Sequence, residues 1–514
     1  MFKTFEPIPA MTRSKGDALR TLDQLHVPAR LATRLQIHHH LISRLFRQQS
    51  LRWFGVLAVV EIALLVLAPW LAIQTRFYAD PVSLEAAGTM LPLQTGVFVA
   101  VVWISMMALG MYQRHGREIK GVLIGTLTRL VVALIGSALV LMVLFFLAPG
   151  VEVGRGVLAL SLAYAFALLI LSRLTFSRLA NGGRLHRRAL FLDAGTRASA
   201  LLVDEQLEDE LRSVSIVGFA ANGTGAQSSP VAVDPARMIK INGSLLDTAF
   251  EQQIDDIVVA SDDMRNCLSM NELMSCRLAG INVLRLDSFY EREMGRVMLE
   301  GLLPSWFIFT PRFNSTVLRR FSRRLFDLAS AAGILLVAWP VMVLVALAIW
   351  LESGGRGPVL YFQDRVGEGD KVFALVKFRS MRTDAENDGV ARWAQAGDDR
   401  ITRVGSLIRK LRLDELPQLY NVFMGNMSMV GPRPERPEIV AGLQRDIPYY
   451  GLRHSISPGL TGWAQLRYPY GASVEDAIEK LRYDLYYIKN QSLLFDLQIL
   501  LQTVEVVLFR RGSR

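Results

Sequence analysis

Two adjacent carboxylates, Asp414 and Glu415, follow a basic run of Arg403, Arg409, Lys410 and Arg412, with Pro417 two residues on. Proline is favoured in the first turn of a helix, so the pair is expected at or just before a helix N-terminus, where the dipole and free N–H groups keep carboxylates ionised. An ionised Asp among arginines could attack a phosphorus atom while its neighbour helps hold a divalent cation that neutralises diphosphate oxygens. Ordinary helix caps use the same residue types, so the pair alone leaves both readings open. Upstream, basic residues recur with aromatics and glycine, in Phe362-Gln363-Asp364-Arg365-Val366-Gly367 and again in Lys377-Phe378-Arg379-Ser380-Met381-Arg382. This is the densest clustering of groups suited to phosphate chemistry. The triple His38, His39, His40 is not read as a metal site, because consecutive side chains on a helix point in different directions. Cys267 and Cys276 make neither a disulfide framework nor a zinc site and read as packing residues in a reducing compartment.

The elements that must position this chemistry belong to a membrane protein. Of 514 residues, 51% are hydrophobic and 20% charged, which excludes a disordered or collagen-like chain. The net charge of +10 suggests anionic headgroups or phosphorylated substrates before nucleic acid, and charge alone does not choose among them. Apolar stretches of spanning length run over Phe54 to Ile73, Leu93 to Tyr112, Val122 to Leu147 and Val157 to Phe176. Glu61 and Arg129 fall inside them and are expected to face protein or an interface. No cleavable signal peptide is visible. Nine Lys and Arg precede the first stretch, Arg114, Arg117 and Lys120 lie in the second connection, and Arg178, Arg184, Arg187 and Arg188 follow the fourth; the alternate connections hold only Arg76 and Arg155. The positive-inside rule then puts the N-terminus and everything after about residue 177 in the cytoplasm. A fifth apolar run, Leu328 to Leu351, has 24 residues without a charge. Arg319, Arg320, Arg323 and Arg324 precede it, and Arg356, Arg365, Lys371, Lys377, Arg379 and Arg382 follow. Both flanks look cytoplasmic, and Pro340 sits at the middle, so a re-entrant helix that bends and returns to the same face is expected, with a kinked spanning helix as the other possibility.

Four segments result. Residues 1–52 form a basic N-terminus, amphipathic over much of 14–52 and suited to a membrane surface; residues 53–177 are the four-helix transmembrane domain. Residues 186–305 alternate short apolar runs with helix-like stretches, the pattern of a parallel α/β domain. Its first run leads into Asp193-Ala194-Gly195-Thr196-Arg197, which keeps one glycine of a dinucleotide-binding fingerprint, so the domain reads as a degenerate Rossmann-like fold without a dinucleotide. Gln227 to Pro230 form a polar loop within it. Residues 317–514 carry the chemistry, with the re-entrant helix at 328–351.

Four motifs occur in order in the C-terminal segment: Lys377-Phe378-Arg379-Ser380-Met381, Leu413-Asp414-Glu415-Leu416-Pro417-Gln418-Leu419-Tyr420-Asn421-Val422, Met427-Ser428-Met429-Val430-Gly431-Pro432-Arg433-Pro434-Glu435, and Pro458-Gly459-Leu460-Thr461-Gly462-Trp463-Ala464-Gln465. Together, over about residues 317 to 509, they resemble the bacterial sugar transferase family, the monotopic polyprenyl-phosphate glycosyl-1-phosphate transferases. The N-terminal helices and Rossmann-like domain resemble its large members, and Tyr468-Pro469-Tyr470-Gly471-Ala472-Ser473 resembles its exopolysaccharide-initiating branch. The resemblance implies that Asp414 attacks the β-phosphorus of a UDP-sugar and expels UMP, that Glu415 helps hold Mg2+, and that polyprenyl (undecaprenyl) phosphate then takes the phosphosugar from Asp414. It implies that Arg433, between Pro432 and Pro434, contacts the nucleotide, and that Gln363, Arg365, Lys377 and Arg379 line the phosphate site. Arg323, Arg324 and Asp327 match a cluster just before the re-entrant helix. Many relatives have Ser before its proline, where this chain has Trp339; a serine hydroxyl could bond back to a carbonyl and favour the bend.

The expectation is therefore an α-helical membrane protein with α/β cytoplasmic parts in the bacterial inner membrane, its catalytic domain on the cytoplasmic face. Its expected partners are UDP-sugar, undecaprenyl phosphate, membrane lipids and a second copy of itself, with no nucleic acid. A non-catalytic scaffold that binds nucleotide sugar is the competing reading, opposed by the intact Asp414-Glu415 pair. A nucleotide-sugar oxidoreductase built on the middle domain fails on its missing glycines.

Overall fold

The computed structural model describes residues 50–109, 122–148, 153–181, 187–193, 214–220, 237–260, 270–299, 317–383 and 400–508, apart from positions 242, 469, 470 and 472, together with residues 111, 150 and 302. The histidine triple, the basic stretch up to residue 49, the 113–121 connection, residues 194–197, Gln227 to Pro230, Cys267, Pro469, Tyr470 and Ala472 lie outside the described residues. The chain divides into two compact units: one carries a parallel sheet, the other the apolar helices and the C-terminal region.

Helices α1 (Ser50–Arg76), α2 (Pro81–Ala108), α3 (Val122–Leu147) and α4 (Arg155–Asn181) occupy the four apolar stretches. Among the described residues, α1, α3, α4 and a later helix, α8 (Val317–Glu352), have segments long and apolar enough to cross a membrane; the apolar part described in α2 is shorter, Pro92–Ala108. Leu65, Phe98, Val102, Met106, Leu130, Leu141 and Leu169 pack inward, while Val59, Ile135, Leu139 and Val143 stay exposed. Glu61 is fully buried and paired with Arg173, whose Nη2 lies 2.8 Å from Oε2 and whose Nη1 donates to the Met111 carbonyl at 2.6 Å. A charge inside an apolar bundle is retained only when paired in this way.

The other unit holds a five-stranded sheet in the order β3-β2-β1-β4-β5, parallel throughout. Its strands are β1 (Arg187–Leu192), β2 (Val214–Ala220), β3 (Met238–Ile239), β4 (Asp256–Val259) and β5 (Asn282–Arg285). The strand order reverses direction at β1/β4. Residues 189–192 of β1 and 257–259 of β4 are buried apolar runs, as in central strands of parallel sheets, and the buried Arg187 and Asp256 that open the two strands pair at 3.0 Å. Helices α5 (Leu245–Glu251) and α6 (Met270–Leu278) contribute Leu245, Ala249, Leu273 and Cys276 to this core, so Cys276 is a packing residue. Asp193, at the end of β1, takes φ +82°. Helix α7 (Leu286–Met294) follows β5.

In the C-terminal region α8 runs for 36 residues, its helical backbone continuing through Pro340, a length of about 54 Å. Leu336, Val337, Trp339, Val343 and Leu344 are exposed along it. Its other side packs at both ends onto the same region. Ala331 and Leu335 join Leu419, Val422 and Met429, whereas Val345 and Ile349 join Phe378 and Ile408. Beyond α8 come the antiparallel hairpin β6 (Leu360–Val366) and β7 (Val372–Phe378), then α9 (Arg403–Lys410), a 3-10 turn (Leu413–Gln418) and α10 (Leu419–Met424). Next are β8 (Ser428–Val430), α11 (Pro437–Asp446), a second 3-10 turn (Tyr450–Ser455) and β9 (Gly459–Thr461), which pairs in parallel with β8. Helices α12 (Trp463–Arg467), α13 (Val474–Asn490) and α14 (Leu493–Leu508) complete it.

Candidate active site

Asp414 and Glu415 enter through a tightly determined approach. Thr402 caps α9, its hydroxyl accepting from the Gly405 N–H at 2.9 Å. The chain then reverses at Arg412, which holds a left-handed conformation with φ +56°, and starts the 3-10 turn with both carboxylates in its first turn. Leu413 and Leu416 pack toward Val345 and Ile349 of α8. Behind them, buried Asn421 grips the free edge of β7: its Nδ2 donates to the Ala374 carbonyl at 2.8 Å and its Oδ1 accepts from the Val376 N–H at 3.0 Å. This two-ended bond fixes the distance between the carboxylates and the hairpin.

The hairpin brings the next set. Tyr361 pairs with Lys377, Gln363 with Leu375 and Arg365 with Phe373, so Tyr361, Gln363, Arg365 and Lys377 share one face. Arg365 Nη2 donates to Gln363 Oε1 at 2.6 Å, and Gln363 Nε2 lies 3.4 Å from the Tyr361 hydroxyl. Two strand positions on from Lys377, Arg379 packs its guanidinium over Gly357; its Nη1 is buried without a hydrogen-bond partner among the described residues.

Pro432-Arg433-Pro434 faces the carboxylates from β8. Its prolines have no N–H to give, so the turn is held through its carbonyls. Pro432 O accepts from Gly459 N at 2.9 Å, Arg433 O from Arg453 Nη2 at 2.9 Å, Pro434 O from Arg365 Nη1 at 3.0 Å and Glu435 O from Val366 N at 2.9 Å. With the backbone tied at four successive residues, Arg433 Nη2 reaches Glu415 Oε1 at 2.7 Å, and Arg412 Nη1 lies 3.6 Å from the same oxygen.

The two carboxylates therefore differ. Burial works against ionisation of Glu415, but Arg433, Lys377 and Arg412 outweigh it and hold its pKa down at about 2. Asp414 makes no hydrogen bond or ion pair among the described residues, and burial together with the Glu415 charge pushes it up to about 6 against Lys377, Arg409 and Arg412. Helix-start stabilisation of both carboxylates, the sequence-based expectation, is corrected here: neighbouring charges and burial set the two states in opposite directions. Burial and Arg433 bring Lys377 down to about 8, opposed by Glu415 and Asp414. One carboxylate is thus pinned and ionised, and its neighbour is unencumbered beside a cation.

Arg323, Arg324, Asp327 and Pro340 stand apart from this cluster. Arg324 donates to the Val422 and Phe423 carbonyls at 2.5 and 2.6 Å, and Arg323 to the Val430 carbonyl at 2.7 Å. Asp327 Oδ1 accepts from Ser428 Oγ and Met429 N, each at 2.9 Å. They brace α8 against α10 and β8. Sequence reasoning passed over Arg453, Tyr450 and Asp484 and gave Asn421 no role; the last stood inside a quoted motif and was the one with a visible signal. No group of three or more His, Cys, Asp and Glu that could hold a metal occurs among the described residues. The adjacent carboxylates nevertheless suit Mg2+, which commonly takes one or two carboxylates with substrate phosphates.

Residues 318–510 match the family model described as bacterial sugar transferase. An exopolysaccharide production protein PSS of Rhizobium leguminosarum bv. phaseoli is 43% identical over 188 residues, 35% of this chain and 92% of that protein. The UDP-N-acetylgalactosamine-undecaprenyl-phosphate N-acetylgalactosaminephosphotransferase of Aeromonas hydrophila is 41% identical over 250 residues, 47% of this chain and 56% of its own length. The UDP-glucose:undecaprenyl-phosphate glucose-1-phosphate transferase of Escherichia coli is 42% identical over 189 residues, 36% of this chain and 40% of its own. The fold and site thus define a membrane-helix protein with a C-terminal sugar-transferase region. The chain belongs to the bacterial sugar transferase family. It spans about half the length of the two larger relatives.

Proposed function

We propose that the protein transfers a sugar 1-phosphate from a UDP-sugar to undecaprenyl phosphate, releasing UMP, as the first membrane step of exopolysaccharide or O-antigen synthesis. The observation that carries this reading is the asymmetry of the pair, with Glu415 held by Arg433 at 2.7 Å and Asp414 left without a hydrogen-bonding partner among the described residues. Asp414 attacks the β-phosphorus; the bond from that phosphorus to the bridging oxygen breaks, and UMP departs with the oxygen. An oxygen of undecaprenyl phosphate then attacks the same phosphorus, the acyl phosphate bond breaks, and the Asp414 carboxylate is restored. Lys377, Arg379 and Arg433 steady the diphosphate by charge. Glu415 would hold Mg2+ together with diphosphate oxygens, and the bound ion supplies further charge neutralisation at the leaving phosphate. The named relatives act on N-acetylgalactosamine and glucose donors, so both sugars belong in the assay.

The anchoring of both ends of α8 on one region supports a placement in which its two flanks share the cytoplasmic face of the inner membrane. A cysteine at Gly369 reactive to an impermeant reagent from outside intact cells, with one at Arg320 unreactive, would overturn that topology. For the chemistry, the full chain in nanodiscs is given UDP-glucose or UDP-N-acetylgalactosamine with Mg2+ and no lipid acceptor. UMP release with a phosphosugar mass on the peptide containing Asp414 is expected. Transfer that requires both substrates together with no adduct, or an adduct on Glu415, would defeat the mechanism.

A further inference from the structure

The Tyr450–Ser455 turn and α13 bury a charged group whose presence the core does not explain. Arg453 and Asp484 are 5% and 2% exposed and lie 2.9 Å apart, beside an apolar cluster that includes Tyr450, Leu481 and Leu485. Replacing such a pair with apolar residues is often neutral or stabilising, so burial alone does not favour keeping it. The buried guanidinium also bonds beyond that pair. Its Nη1 donates to the Tyr450 hydroxyl at 2.6 Å, its Cζ lies 5.1 Å from the Tyr450 ring centroid, and its Nη2 donates to the Arg433 carbonyl at 2.9 Å.

We infer that Arg453, held by Asp484 and Tyr450, is a positioning residue that aims Arg433 at Glu415 by fixing the backbone of the Pro432-Arg433-Pro434 turn. The inference rests on the transferase reading only for its kinetic readout. Arg433 carries the sole N–H of the Pro432-Arg433-Pro434 turn; its carbonyl accepts from Arg453 while its guanidinium donates to Glu415. A rigid fork gripping the carbonyl and anchored at both its own ends limits rotation of the residue as a whole. Lysine keeps the charge beside Asp484 but offers a single flexible tip in place of the fork.

The test uses the full chain in nanodiscs. Arg453→Lys should lower kcat/KM for UMP release from a UDP-sugar by about 10- to 100-fold, the scale of a small misplacement at a reacting centre. In an Arg433→Ala background the same change should matter by less than about twofold, since the group it acts through is gone; equal losses in both backgrounds would overturn the inference. Hydrogen exchange without any substrate gives the second readout. Faster exchange confined to the Gly459 and Val366 amides, which donate to the Pro432 and Glu435 carbonyls of the turn, with α13 still protected, is expected; loss of protection spread along α13 would make Arg453 a core residue only. Local exchange of this kind in a protein that releases no UMP would sink the transferase reading and leave the positioning role standing. If Arg453→Lys does not fold, Tyr450→Phe, which removes one anchor of the fork and keeps the ring, should give a smaller effect of the same sign in both readouts, and no effect in either would refute the proposal.

Discussion

A carboxylate that burial pushes up to about 6, from an ordinary aspartate pKa of about 3.9, opposes folding whenever it is ionised. For a group whose folded pKa lies above its unfolded one, the stabilising contribution is complete below about 4 and is lost as pH rises through about 6. Asp414→Asn is therefore expected to abolish UMP release and yet raise the melting temperature at pH 7, by on the order of 2 kcal/mol of stability; the gain should vanish at pH 4, which a melting series from pH 4 to 8 would show. Glu415 has the opposite sign, its stabilisation present above about 4.5 and lost as pH falls toward 2. Lys377, brought down to about 8, adds an alkaline limit. The rate of UMP release at low UDP-sugar should rise as Asp414 ionises near 6 and fall as Lys377 loses its proton near 8. Lys377→Arg should remove the alkaline limb in a pH–rate profile, because a guanidinium stays charged. That Asp414, Glu415, Lys377 and Arg433 share one motif-bearing region was legible from type and spacing, and the structure brings them together. Arg453 and Asp484 were not legible, because a side chain that acts on a backbone carbonyl leaves no characteristic spacing.

Among the elements, the long helices were the most legible, since about 20 apolar residues in a row have few other uses. The short ones were not. Strands β8 and β9 have three residues each and are defined by how closely their backbones approach: a Cβ on Gly459 would lie 2.0 Å from the Gly431 nitrogen. Nor does propensity foretell that α10 and a hairpin far apart in sequence are joined by one amide side chain. Asn421→Ala removes both of its bonds to β7 and leaves a buried N–H and carbonyl unpaired, a loss of about 2 to 4 kcal/mol. The melting temperature should fall, and UMP release should drop even in the folded fraction, because Lys377 is no longer held at its distance from Asp414. Unchanged turnover per folded molecule would show that the hairpin is positioned by packing alone.

On the scale of the molecule, Glu61 and Arg173 hold the first and fourth apolar helices together. Glu61→Gln would leave the Arg173 charge without its partner inside the bundle, a loss of roughly 3 to 5 kcal/mol; a drop in thermal stability in detergent no larger than that of Val59→Ala would contradict this. The brace on α8 bears on how the protein is made. Arg324 serves carbonyls 98 and 99 residues further along the chain, and Asp327 an N–H 102 residues further on. During synthesis α8 leaves the ribosome well before any of the chain it completes, so α10 and β8 must settle onto a helix that is already made. Expression should follow that order. A fragment starting at Tyr290, which keeps α8 and the Arg296–Glu479 pair at 2.7 Å, should be recovered folded from membranes. One starting at Leu328 should aggregate, and supplying residues 290–352 as a separate peptide after translation should not rescue it as well as co-expression does.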